Sequence, residues 1–202
     1  MRRLIILIIL LTSTPLFTWS QNDLKDHLQT VKGINMIDSV NLTDLDVGSL
    51  PTMDSTLLVR HKFISFEKES EFGTSNYSQA DCRILSYSEG KEFNLLILIH
   101  YTSLAGDGNP KLQLSTISEI GQIIDKKEFS LVYPHDPEYV PKQFLIFDKP
   151  SRFKFLTKEI KREFKGDSYI TISNQTTSVI IDIEKGKLKT QANSGCNVIH
   201  KP

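Results

Sequence analysis

Three short turns of similar build constrain what this chain can fold into. Each turn holds a glycine and follows an acidic residue, and each is flanked by segments rich in β-branched and aromatic side chains. The three turns contain Gly90, Gly121 and Gly186. Glycine tolerates the positive φ that tight hairpin turns and their bulges require. The sequence therefore predicts three β-hairpins.

The apolar pattern around these turns is that of strands. Most segments alternate with period two, whereas 93–99 is nearly all apolar, as in a central strand covered on both faces. No helical pattern lies between the predicted strands to make a parallel crossover. We therefore expect an all-β, mainly antiparallel fold of about nine strands, arranged as a sandwich or a strongly curved sheet.

Individual segments can be assigned along the chain. Residues 57–66 are the first predicted strand, and 133–141, which holds three prolines, is a predicted connection rather than a strand. Residues 152–164 fit either a strand or a helix face, and their place between strands favours a strand with a bulge. Residues 167–173 and 177–183 are predicted to be separate strands.

The segment before the β region has a helical pattern. Leu24, Leu28 and Val31 recur at helical spacing, with Asp23 as a candidate N-cap. A short helix or irregular arm is therefore predicted over 21–54, followed by the antiparallel β domain at 55–202.

The N-terminus has the features of a secretory leader. Two arginines precede the apolar run 4–11, which is too short to span a bilayer as a mature helix. We expect a signal peptide at 1–20, with cleavage after Ser20 and export to the periplasm or medium. No cysteine lies just after the apolar run, which excludes a lipoprotein, and no membrane insertion is expected after cleavage. An uncleaved anchor is the alternative.

Charge and cysteine content narrow the partners and the covalent chemistry. The chain has 24 basic and 24 acidic residues, so its net charge does not favour nucleic acid. Cys82 and Cys196 could form a disulfide in an exported protein. Two unbonded thiols are an equally good interpretation.

No motif in the sequence specifies a catalytic, cofactor or metal site. No two of the five histidines lie within five residues of each other, so neither an HExxH nor an HxxxH site exists. Two loops remain as polar candidates, and solvated surface residues explain both equally well. Their members are His135, Asp136, Glu138, Asp107 and Asn109.

A few segments resemble a known group of proteins. Residues 19–22 at the cleavage point, 114–125 and 181–187 are similar to segments of small exported β-rich proteins of Bacteroidetes-type bacteria. The likeness covers roughly 85–190. It implies a secreted β fold, implies no activity, and carries over no functional residue.

These observations lead to a functional expectation. We expect an exported, non-enzymatic binding or structural module of the bacterial cell envelope, whose partner is an unknown protein or glycan. The alternatives are a hydrolase-type enzyme with a site assembled by folding near His100 and His135, and a periplasmic inhibitor or immunity-type protein.

Overall fold

A computed structural model describes residues 23–31, 39–63, 82–100, 110–133, 136–149 and 151–197. The predicted leader lies outside these residues. The described chain contains nine strands: β1 Ser39–Asn41, β2 Cys82–Ser88, β3 Asn94–His100, β4 Lys111–Ile117, β5 Ile123–Ser130, β6 Tyr139–Lys149, β7 Arg152–Lys165, β8 Ser168–Glu184 and β9 Lys187–Asn197.

The strands form two antiparallel sheets. One sheet has five strands in the order β1-β6-β7-β8-β9, and the other has four in the order β2-β3-β4-β5. Every neighbouring pair is antiparallel. The predicted antiparallel all-β fold of about nine strands is thereby confirmed.

All three glycine turns close hairpins, for two different physical reasons. Gly121 and Gly186 have φ values of 77° and 75°, which side chains disfavour. At Gly90, a Cβ atom would lie 2.4 Å from the carbonyl oxygen of Phe93. The first turn therefore needs glycine for close backbone approach, and the other two need it for positive φ.

The main hydrophobic core lies between the two sheets. Its members come from alternate positions of the facing strands, including Leu95, Ile97 and Ile99 of β3 and Phe153 and Phe155 of β7. These five side chains are at most 6% exposed. Since strand side chains alternate in direction, the intervening residues of each strand face away from this core.

A second hydrophobic cluster covers the opposite face of the four-stranded sheet. Leu96 and Leu98 of β3 pack there against Leu24 and Leu28 of the helical residues 23–30. All seven residues of β3 are consequently buried, as predicted for a strand covered on both faces. The predicted N-terminal helix is also confirmed.

The strand predicted at 57–66 is wrong over 57–63, and residues 64–66 lie outside the described residues. Helix α1 occupies Ser55–Arg60, with the amide of Leu58 donating to the carbonyl of Asp54 at 3.1 Å. Leu57 and Leu58 are buried in the second cluster. A short apolar run fits a buried strand and a buried helix equally well, so periodicity could not separate them.

Three assignments in the five-stranded sheet also need correction. β6 already begins at Tyr139 and includes Pro141, whose missing amide faces the edge beyond the three-residue β1. The predicted turn at 174–176 is absent, because β8 runs unbroken between ladders to β7 and β9. β7 is a strand as predicted, but the bulge predicted in it is wrong: Lys161 pairs with Ser173 and Arg162 with Thr171, so the extra residue is Ile172 of β8.

Hydrogen bonds join the two sheets at the third hairpin turn. The hydroxyl of Thr116 on β4 donates to the carbonyl of Gly186. The amide of Leu188 donates to Oδ2 of Asp125 at 2.9 Å, and Nζ of Lys187 donates to the carbonyl of Ile124 at 2.9 Å. The β8–β9 turn is thereby fixed against β5.

A buried amide side chain joins the sheets at another point. Gln143 of β6 is 3% exposed, and its Oε1 accepts the amide of Val132 at 2.7 Å. Its Nε2 donates to the carbonyl of Ser130 at 3.1 Å and lies 3.3 Å from the hydroxyl of Thr157. These bonds satisfy the carbonyl of Ser130, the last residue of β5, and the amide of Val132 just after it, where the chain meets the five-stranded sheet.

Candidate functional site

Of the predicted polar sites, the structure describes three members. His100 ends β3 in the four-stranded sheet, and Asp136 and Glu138 precede β6. His135, Asp107 and Asn109 lie outside the described residues. The pairing of His100 with His135 therefore stays a prediction.

His100 is fully buried on the face of β3 that points away from the main core. Its Nε2 lies 3.9 Å from Oε1 of Glu128. Burial lowers the pKa of His100 to about 4, an effect opposed by Glu128 and reinforced by Lys111 and Lys126. The ring is therefore neutral at pH 7, and its contact with Glu128 is not an ion pair.

Two other fully buried polar residues follow on the same face of β4. Gln113 Nε2 donates to the hydroxyl of Ser115 at 2.8 Å. Within the described residues, Gln113 Oε1 and both ring nitrogens of His100 have no hydrogen-bond partner. The result is a closed polar cluster beside the second hydrophobic cluster, with spare hydrogen-bonding capacity but no exposed histidine surface.

Asp136 and Glu138 organise the start of β6. The amide of Glu138 donates to Oδ1 of Asp136 at 2.8 Å, and the amide of Tyr139 donates to the carbonyl of Asp136 at 3.0 Å. The carbonyl of Glu138 accepts the amide of Arg162 at 2.7 Å. Both carboxylates are exposed, and their local bonds are those of an Asx-type turn.

The structure contains no disulfide among the residues it describes. Cys82 is buried in the second cluster, on the side of the four-stranded sheet that faces away from the five-stranded sheet. Cys196 lies on β9 of the five-stranded sheet, opposite Gln175. The two cysteines thus belong to different layers, which explains why the considered Cys82–Cys196 bridge is not formed.

The outer face of the five-stranded sheet carries a lysine patch that sequence reasoning missed. Phe155 of β7 points into the main core, so its neighbours Lys154 and Leu156 point outward, as does Lys158. We call the outward residues Lys142, Phe144, Lys154, Leu156 and Lys158 the lysine face.

Strand register brings two of these lysines directly opposite each other. Lys142 of β6 pairs with Lys158 of β7, and in the next row on the same face Phe144 pairs with Leu156. Directly opposed side chains have Cβ atoms about 5 Å apart. The Nζ of Lys158 lies 5.6 Å from the ring centre of Phe144. Lys154 lies four residues from Lys158, about 13 Å along the strand.

The carboxylates of this outer face lie beyond Lys154, around Arg152 and the β8–β9 turn. Arg152 contacts Asp182 at 3.4 Å and Asp148 at 3.8 Å, and Lys189 contacts Glu184. No ion pair links Lys142, Lys154 or Lys158 to any described carboxylate. The lysine face is therefore a local positive surface on a chain of zero net charge.

The period-two spacing of Lys154 and Lys158 is visible in the sequence, but Lys142 joins them only through the β6–β7 register. This dependence on pairing explains why the patch was not predicted. Its cations lie around the apolar surface of Phe144 and Leu156. The arrangement can attract an anion and can offer apolar contact between the charges.

Within the described residues, no three His, Cys, Asp or Glu side chains cluster to hold a metal ion. No described helix has the length and apolar character needed to cross a membrane. No protein-family model, curated protein or solved structure matches the chain.

Proposed function

We propose that the protein is an exported, non-enzymatic binding module of the cell envelope that holds an acidic polysaccharide on its lysine face. The observation that carries the proposal is the direct opposition of Lys142 and Lys158 without a carboxylate partner among the described residues. Like charges opposed across two strands cost the fold about 0.2–1 kcal/mol. A bound anion would remove that repulsion.

The shape of the lysine face favours an extended ligand over a small anion. Lys154 and Lys158 lie about 13 Å apart along one strand, a spacing at which two ammonium groups can contact successive charges of one extended chain. Phe144 and Leu156 supply apolar surface between the cations. An acidic polysaccharide matches both features, because it presents carboxylates at intervals and exposes the carbon-bound hydrogens of its sugar rings.

Nucleic acid is a weaker match for the same surface. Sites for nucleic acid usually belong to strongly basic domains, in which many lysines and arginines neutralise phosphates. This chain has equal numbers of basic and acidic residues, and only three lysines form the patch. Binding to single-stranded DNA is therefore kept as an outcome of the test.

Polygalacturonate is a suitable probe, with neutral dextran and single-stranded DNA beside it in isothermal titration calorimetry. We expect polygalacturonate to bind, dextran to be inert, and affinity to fall as salt is raised. The double variant Lys142→Gln/Lys158→Gln should bind about tenfold more weakly, as expected for two modest charge contacts.

The matched control is Lys25→Gln/Lys91→Gln, which removes the same charge from exposed lysines elsewhere. It should bind like the wild type. Equal loss in both double variants would mean that net charge, and not the lysine face, governs binding. Tighter binding of DNA than of polygalacturonate would reject the polysaccharide.

A second candidate is the hydrolase-type enzyme considered above, and the polar cluster supports it. His100, Gln113 and Glu128 lie close together, and two of them have unpartnered buried atoms. A substrate would have to open the cluster to reach His100. The His100→Gln variant tests this candidate, because unchanged hydrolysis of a demonstrated substrate would remove it.

A further inference from the structure

We infer that β9 is a self-association edge, through which a second copy of this chain adds antiparallel to the five-stranded sheet. The inference is independent of the proposed ligand. It is based on the backbone groups that β9 directs outward and on the contrast between β9 and the other strand edges.

β9 is the outermost strand of its sheet and is paired with β8 along its whole length. The amide of Leu188 points away from β8, since it donates to Asp125 of β5. The amide and carbonyl groups of successive strand residues point alternately to the two sides of the strand. Those of every second residue beyond Leu188 therefore also point away from β8, towards the open edge. These residues are Thr190, Ala192, Ser194 and Cys196.

These four residues direct their backbone amides and carbonyls to the open edge over about 20 Å of strand. No described residue pairs with them, and the side chains of Gln191, Ala192 and Asn193 are exposed. Such a row of backbone donors and acceptors is a template for another strand. The β5 contact covers only the beginning of β9.

The other described strand edges are protected, and that of β1 is only three residues long. β2 is covered by the segment before α1, where the amide of Ile84 donates to the carbonyl of Pro51 and the amide of Met53 to the carbonyl of Cys82, each at 2.8 Å. The open part of β6 contains Pro141, and β5 carries the charged run 125–128. Prolines and charges of this kind discourage edge pairing.

The distal part of β9 has none of these devices. Residues 190–197 read Thr-Gln-Ala-Asn-Ser-Gly-Cys-Asn, without a charge or a proline, and the β8–β9 register shows no bulge. An uncharged, regular edge is complementary to another uncharged, regular edge. Two copies can therefore pair by a two-fold axis without bringing like charges together.

The pairing would also place the two lysine faces on one side. Directly opposed residues of an antiparallel pair share a face, so the two five-stranded sheets would become one ten-stranded sheet with a common outer surface. The two β7 strands would then lie five strand spacings apart, about 24 Å. One extended chain could contact both copies, which raises avidity without a new contact.

Sedimentation velocity of the purified protein between about 1 and 100 µM tests the inference. We expect a dimer that dissociates on dilution. The variant Ala192→Pro should be monomeric, since it removes an outward amide that the monomer does not use. Circular dichroism checks that its β content is unchanged.

A second disrupting variant avoids proline altogether. Gln191→Lys/Asn193→Lys places charges on exposed edge positions and should also be monomeric. Its matched control, Ser88→Lys/Ile120→Lys, adds the same charge at exposed positions away from β9 and should stay dimeric.

Three results would overturn the inference: a monomeric wild type at 100 µM, a dimer that survives both β9 changes, or a control that dissociates equally. Polygalacturonate binding is measured separately on the monomeric Ala192→Pro variant, because Gln191 and Asn193 lie on the same outer face as the lysine face and lysines there would add charge to it. A monomeric variant that still binds polygalacturonate upholds the proposed function. Loss of binding in a wild type that still dimerises would reject the proposed function and leave the β9 inference standing.

Discussion

Replacing Gly186 with alanine should destabilise the protein through two separable effects. The residue has a φ of 75°, a conformation that costs an alanine about 1–2 kcal/mol. A Cβ atom there would also lie 2.9 Å from Cδ1 and 3.1 Å from Cγ2 of Ile124. Because Ile124 lies on β5, the added methyl group would push against the contact that joins the two sheets.

Gly166, in the β7–β8 turn, provides the matched control. Its φ is 62°, but an added Cβ would meet nothing within 4 Å. Gly166→Ala therefore incurs the backbone cost alone, reduced by the smaller entropy of the unfolded alanine chain, and should lose about 1 kcal/mol. Gly186→Ala adds an overpacking cost of about 1–3 kcal/mol.

Urea unfolding followed by circular dichroism measures both losses. The double variant Gly186→Ala/Ile124→Ala should recover part of the loss, since both crowded carbon atoms are removed, and a double-mutant cycle isolates that coupling. Equal losses in the two glycine variants, or a coupling free energy near zero, would refute the proposed clash with Ile124.

Other outcomes concern the buried polar residues and the second cluster. The pKa of His100 is lower in the folded protein, so the unfolded chain gains a proton between pH 6.5 and about 4 and stability falls as the pH drops through that range. In urea titrations, the free energy of unfolding of the wild type should fall by about 2–3 kcal/mol more between pH 7 and 4.5 than that of His100→Phe. Equal falls in the two proteins would contradict the lowered pKa of His100. Gln143→Met leaves the Val132 amide without its acceptor and should cost about 1–3 kcal/mol in thermal unfolding. The exposed Gln175→Met is its control, expected within about 0.5 kcal/mol of wild type. Leu58→Ala empties a buried position of α1 and should cost about 2–5 kcal/mol in guanidinium unfolding, and a loss below about 0.5 kcal/mol would contradict its place in the second cluster.

The sequence was most informative where a local rule was sufficient. Gly121 and Gly186 could be placed in hairpins because positive φ is a property of one residue, and 93–99 could be placed centrally because its apolar run is unbroken. The helix α1 was missed because six residues with a short apolar run carry no decisive period.

The candidate site depends on strand register, which local sequence patterns do not specify. Lys142 and Lys158 are 16 residues apart, and they meet only because the β6–β7 register places them opposite each other. A shift of one residue would have sent one of them to the other face of the sheet. Register is set by the packing of the whole core, so local patterns could not reveal the patch.

The two hydrophobic clusters give the four-stranded sheet a role unlike that of its partner. Successive side chains of β3 pack alternately in the main core and in the second cluster, so β3 separates the two clusters. Detachment of residues 23–30 would remove Leu24 and Leu28 from the second cluster and increase the exposure of Leu96 and Leu98 to water. The N-terminal helical residues therefore cover apolar surface of the four-stranded sheet, and their loss would expose a hydrophobic patch that favours aggregation.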